Sequence, residues 1–141
     1  LLKKKEFYDD YAHHPTEIRA VINSVRQVYK KRKIICVFQP HRYSRVKSLK
    51  IEFASSFKYV DKVVLCPVYP AGEKVKYNFN QDSFSKLISK KSKLQVINIK
   101  DKKELRNYFY KNLLDDELVF CMGAGSISNW IREIGDSKKW N

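Results

Sequence analysis

The chain has 141 residues, 43% of them hydrophobic and 13% aromatic, enough to bury one core without staples, which excludes a disordered tail and fits one domain. Its 29 Lys and Arg against 15 Asp and Glu give +14; the basic residues are scattered (Lys30, Lys31, Lys33, Lys90, Lys91, Lys138, Lys139), so a solvated surface is favoured over a polyanion track. No apolar run reaches membrane-spanning length, LLKKKEFYDD lacks the apolar stretch of a secretory leader, and Cys36, Cys66 and Cys121 form no Cys-x-x-Cys pair. A cytoplasmic protein with buried, reduced thiols is expected.

In chain order, Glu6 to Tyr8 offers a first strand. Ile18, Val21, Ile22, Val25 and Val28 share one helical face, which predicts a helix over about Thr16 to Lys31. Lys33 to Phe38 is a short β-branched run and reads as a buried strand. Val46, Leu49, Phe53 and Phe57 mark a second helix, and Lys62 to Cys66 a second buried strand. Phe84, Leu87 and Ile88 mark a short helix, Gln95 to Ile99 a strand, and Leu105, Phe109 and Leu113 another helix. Leu118 to Met122 is a further strand, followed by a helix over about Ile127 to Ile134. Strands alternating with helices predict an α/β fold: a Rossmann-like open, mostly parallel sheet with helices on both faces.

Such a sheet binds ligands at the carboxyl ends of its strands. The unusual residues of this chain fall in the segments that follow strands: DDYAHHPTEI (9–18), QPHRYSR (39–45), PVYPAGEK (67–74) and GAGS (123–126). All four are expected to meet along one edge. QPHRYSR puts His41, Arg42 and Arg45 at a helix start, where the dipole disfavours cations unless an anion is present, so it reads as a seat for phosphate or carboxylate. PVYPAGEK carries Gly72 for a tight turn and Glu73 beside it. The two glycines of GAGS permit close approach of a ligand or of a neighbouring strand, and Ser126 is a candidate cap.

His13 and His14 are adjacent, so both rings are poorly placed to share a metal, and no Cys or His cluster completes a zinc site. No metal site is expected. Pro15 suits a first helical turn, with Thr16 or His14 as cap. Asp10 has the chemistry to accept hydrogen bonds from sugar hydroxyls. Much of this polarity is expected to lack purpose within the chain. There is no G-x-x-x-x-G-K-[ST] loop and no G-x-G-x-x-G after the first strand. An anion-binding edge without a phosphate loop reads as half of an active site.

DDYAHHPTEI, FQPHRYSR, VYPAGE and GAGSI, in this order, resemble the C-terminal domain of the Mur ligases, from about Phe7 to the last helix. Ala12, where the family often has glycine, and Pro70 before the AGE are departures. The branch most resembled joins L-alanine to UDP-N-acetylmuramate in peptidoglycan synthesis. The resemblance implies residues 1–15 as a hinge from a central domain and residues 16–141 as the domain that covers ATP and binds the amino acid. It implies ATP and Mg2+ as cofactors, with phosphate loop and magnesium ligands on the central domain, and an acyl-phosphate intermediate. Asp10, Tyr11 and His13 would face ATP; His41, Arg42, Arg45 and Glu73 would bind substrate; His13, Arg42 and Arg45 would act in catalysis. The domain alone is expected to be inactive. The alternatives are the family branch that reattaches recycled murein tripeptide and a basic α/β module for nucleic acid, which would need aromatics interleaved with a basic stripe.

Overall fold

A computed structural model describes residues 6–135. The elements run β1 (Glu6–Asp10), α1 (Pro15–Val28), β2 (Ile34–Phe38), α2 (Tyr43–Ser48), α3 (Lys50–Ala54), β3 (Lys62–Leu65), α4 (Gln81–Ser92), β4 (Gln95–Asn98), α5 (Lys102–Asn112), β5 (Leu118–Met122) and α6 (Ile127–Gly135). The strands form one sheet in the order β1-β5-β2-β3-β4, with every pair parallel. The Rossmann-like α/β expectation is met. From Glu6 onward the lead-in segment belongs to the sheet, as edge strand β1 against β5; residues 1–5 lie outside the described residues.

Register brings the carboxyl ends of the strands level. Asp10 pairs with Met122, Met122 with Phe38, Phe38 with Leu65, and Leu65 with Asn98. Each of these is the last residue of its strand. The five segments that follow therefore leave the sheet from one line.

The strands alternate between two cores. On one face, Ile18 and Ile22 of α1, Val46, Phe53, and Phe84 and Ile88 of α4 cover Cys36, Phe38, Val63, Leu65, Leu118 and Phe120. On the other, Leu105 and Phe109 of α5 and Ile127 and Ile134 of α6 cover Ile35, Val37, Val64, Val119 and Cys121. Strands β2 and β5 are buried along their whole length, as their uninterrupted apolar runs require for strands covered on both sides. All three cysteines are buried free thiols, and burial pushes their pKa values up.

The helix expected over Val46 to Phe57 is two short ones. Leu49 (φ −123°, ψ 28°) interrupts them, yet the bonds Leu49 N–H to Arg45 C=O and Phe53 N–H to Leu49 C=O carry the apolar face across the kink. Phe57 lies beyond the helix because its N–H donates to Ser92 Oγ at 3.1 Å, while the Ser92 hydroxyl donates to Ala54 C=O at 2.6 Å. One buried serine thus ends α3 and ties it to the end of α4, a long-range event that helical periodicity does not reveal. Replacing it strands a buried donor and acceptor, so Ser92→Ala is expected to cost about 1–3 kcal/mol, read from the denaturant midpoint of unfolding.

Candidate active site

The first wall of the site follows β1. Asp10 Oδ1 accepts the Ala12 N–H at 2.8 Å, a local turn that swings the chain toward α1. His14 is the N-cap: Thr16 N–H donates to its Nδ1 at 3.3 Å. Glu17 closes a capping box, accepting the His14 N–H at 3.0 Å and the His13 N–H at 3.3 Å. Those two donors hold the Glu17 carboxyl below its ordinary value of 4.5. Asp9 accepts a hydrogen bond from the Ser128 hydroxyl of α6. The expectation that this polarity serves no purpose within the chain is corrected: Asp9, Asp10, His14 and Glu17 all have work in shaping the turn. What remains offered outward is Tyr11, 70% exposed, the second oxygen of Asp10 and one edge of His13.

His13 Nδ1 lies 3.0 Å from the Tyr11 carbonyl oxygen and 3.5 Å from Glu17 Oε1. Both neighbours are acceptors, so the neutral ring keeps its proton on Nδ1 and leaves the lone pair to Nε2. The ring faces Tyr11 edge-on at 5.2 Å and approaches the ring of His41 at 5.8 Å.

The second wall joins the segments after β2 and β3. Arg42 N–H donates to Tyr69 C=O and Tyr69 N–H to Pro40 C=O, both at 2.8 Å. Arg45 Nη1 donates to His41 Nδ1 at 3.4 Å, which leaves the His41 proton on Nε2. Burial, then the charges of Arg45, of His13 whenever it is protonated, and of Arg42 push the His41 pKa down, with Glu73 opposing them. His41 is thus held neutral beside two arginines, with the tautomer opposite to that of His13. Arg42 precedes α2 in a left-handed conformation (φ 72°, ψ 132°) that an L side chain rarely adopts.

Glu73 is placed by the expected turn: its N–H donates to Pro70 C=O at 3.1 Å, with Gly72 at φ 86°. Its carboxylate accepts from the Ser44 N–H at 3.2 Å and from the Ser44 hydroxyl. These bonds, the hydroxyl first, lower its pKa. Glu73 therefore supplies the anion that the start of α2 demands. The seat argued from helix polarity is filled from within.

The third wall follows β5. A Cβ on Gly125 would lie 2.4 Å from Tyr69 Cγ, and one on Gly123 would lie 3.0 Å from the Gln39 carbonyl oxygen. The close approach that these glycines permit is to the chain's own neighbouring segments. Ser126 stands at the start of α6, its C=O accepting the Trp130 N–H, but the side chain that meets the first helical N–H belongs to Gln39. Buried Gln39 reaches across, its Nε2 donating to Ser126 Oγ at 2.9 Å and its Oε1 accepting the Ile127 N–H at 3.0 Å. Gln39 and Tyr69 are the structural residues that motif reasoning missed. For Gln39 a signal existed: a polar side chain directly after a fully apolar strand needs a buried partner.

All four segments thus meet on one edge. His13, His41, Arg42 and Arg45 come together, Asp10 and Tyr11 border them, and Glu73 stands behind α2. The donor set suits part of a nucleotide: an acidic oxygen and an aromatic face, with no phosphate-cradling loop. Among the described residues no group of three His, Cys, Asp or Glu side chains could hold a metal ion.

Two expectations follow. Glycine at position 42 relieves about 1–3 kcal/mol of backbone strain against about 0.4–1 kcal/mol of added unfolded-state entropy; Arg42→Gly should therefore raise the thermal midpoint. Stability should also fall with pH in two stages. His41 has a depressed pKa when folded, so the unfolded chain binds the extra proton as pH drops through 6.5 and folding weakens. Glu17 and Glu73, likewise depressed, weaken it again below 4.5. Urea midpoints from pH 8 to about pH 3 would check both stages, and His41→Gln should flatten the first.

Comparison with known proteins places this geometry. The family model described as "Mur ligase, glutamate ligase domain" matches residues 2–125. A UDP-N-acetylmuramate–L-alanine ligase of Pelagibacter ubique is 49% identical over 132 residues, 94% of this chain and 28% of that protein. One of Aquifex aeolicus is 38% identical over 131 residues, 93% of this chain and again 28% of its length. The chain thus spans little more than a quarter of the curated relatives it matches. The crystal structure of a UDP-N-acetylmuramate–alanine ligase from Thermotoga maritima superposes with a TM-score of 0.66 at 26% identity, over 95% of this chain and 27% of that one. With most of its length matched by that model and its fold shared with these ligases, the chain belongs to the Mur ligase family, as the glutamate ligase domain.

Proposed function

We propose that the chain is the C-terminal domain of a cytoplasmic, ATP-dependent ligase that joins L-alanine to UDP-N-acetylmuramate, with residues 1–15 leading in from a central domain. The observation that carries this reading is the meeting of His13, His41, Arg42 and Arg45 above a level sheet edge that lacks a phosphate loop. The identity to alanine-adding relatives supports the choice of amino acid.

ATP, with Mg2+ held by the central domain, supplies the phosphoryl group that activates the muramate carboxyl. The rest falls to this domain's side chains. Arg42 and Arg45 present planar donor forks that take the alanine carboxylate in paired hydrogen bonds and offset charge developing on the acyl phosphate. In its neutral form His13 accepts a proton at Nε2 from the alanine ammonium, and the freed amine attacks the acyl carbon, whose bond to the phosphate oxygen breaks as inorganic phosphate leaves. His41 Nε2–H donates to an oxygen of the collapsing intermediate. Asp10 and Tyr11 meet ATP at the ribose and an open ring face. Closure over the central domain would expel water and strengthen each of these contacts.

The reading is tested by a chimaera in which this chain replaces the matching 28% of the Pelagibacter ubique relative. Amide formation with UDP-N-acetylmuramate, ATP and L-alanine is expected, and the isolated chain should show none. Arg42→Ala should lower kcat/KM by about 10- to 100-fold, the worth of a charged hydrogen bond, with the circular dichroism spectrum unchanged. Full activity in that variant would remove Arg42 from the site. Preference for murein tripeptide over alanine would reassign the branch.

A further inference from the structure

Arg42 and His41 owe their positions to a side chain that no functional motif marks. The segments leaving β2 and β3 are stitched by the two main-chain bonds of Tyr69, to Pro40 and from Arg42, which make a parallel bridge between His41 and Tyr69. The Tyr69 ring stacks on His41 at 5.6 Å and 27°. Tyr69 also packs against Gly125, so closely that even a methyl group there would overlap Cβ, Cγ and Cδ1 of the tyrosine. The ring belongs to neither hydrophobic core cluster and is 37% exposed. Its packing therefore serves the edge of the sheet rather than the interior.

We propose that Tyr69 is the positioning residue of this site: wedged between Gly125 and His41, it fixes the imidazole and clamps Arg42 in its left-handed conformation. Arginine at φ 72° relaxes to negative φ unless its surroundings over-determine it. The bond from Arg42 N–H to Tyr69 C=O opposes that relaxation, and it holds only while Tyr69 itself is seated. The guanidinium is then aimed before any carboxylate arrives, which lowers the ordering cost of binding. Gly125 completes the device, because only a residue without a side chain lets the segment after β5 back the tyrosine. This inference rests on the assignment of Arg42 to the alanine carboxylate, and it deepens that assignment by naming what aims the arginine.

Tyr69→Ala and Tyr69→Phe separate ring position from hydroxyl chemistry. In the isolated chain the His41 imidazole is titrated by NMR, with Arg45, His13, Arg42 and Glu73 as the charged or titratable groups around it. In Tyr69→Ala its pKa should rise toward 6.5 as water reaches the ring, and in Tyr69→Phe it should stay where the wild type has it. In the chimaera, Tyr69→Ala should raise KM for L-alanine by about 10- to 100-fold, as a misaimed binding group does, with KM for ATP little changed and Tyr69→Phe near wild type. Should Tyr69→Ala fail to fold, Gly125→Ala pushes the same residue from the other side and should give the same KM pattern. Unchanged His41 titration together with unchanged alanine KM overturns the clamp, as does a Tyr69→Phe loss equal to that of Tyr69→Ala. A shifted His41 titration with unchanged alanine KM upholds the clamp and overturns the alanine role of Arg42.

Discussion

The whole arrangement depends on parallel pairing in one register. Strand β5 comes last in the chain yet lies between β1 and β2, and its Met122 pairs with Asp10 on one side and Phe38 on the other. Without that insertion the segment holding His13 would have no route to the segment holding His41. With it, residues 28 apart in sequence bring their rings to 5.8 Å. Both faces of β5 are buried, so slipping the register by one residue would send every side chain to the wrong core. Packing in the interior therefore fixes geometry at the edge.

On that edge, backbone polarity is satisfied by side chains from distant segments. Gln39 meets α6, Glu73 meets α2, and Asp9 meets Ser128. The first two meet N–H groups at a helix start, and the third ties the end of β1 to α6. The segments that leave the sheet are consequently tied to one another by side chains.

The two histidines show how surroundings divide one residue type into two roles. His13 lies between two acceptors and keeps its proton on Nδ1. His41 accepts from Arg45 and keeps its proton on Nε2. Two neutral imidazoles of opposite tautomer thus sit side by side, and neither tautomer can be read from the letters HH or PHR.

The sequence by itself determined the fold class, because unbroken apolar runs separated by helical faces admit few arrangements other than a covered parallel sheet. It also determined that PHRYSR, AGE and GAG lie where strands give way to helices, since each follows such a run, and that DDYAHH leads into a helix. It marked His13, His41, Arg42 and Arg45 by residue type and position, and the Mur ligase resemblance by their order. Only the tertiary structure decided which of these groups are spent inside the chain: Glu73 on the start of α2, Glu17 and Asp10 on local turns. It alone revealed Gln39 and Tyr69 as supports, the strain at Arg42, and Ser92 as the stop of α3. Apart from the local bonds of Asp10 and Glu17, the physical reason is shared. Periodicity and propensity are local, whereas a buried hydrogen-bond partner or a missing Cβ across a crevice is defined by residues 30 to 90 positions away.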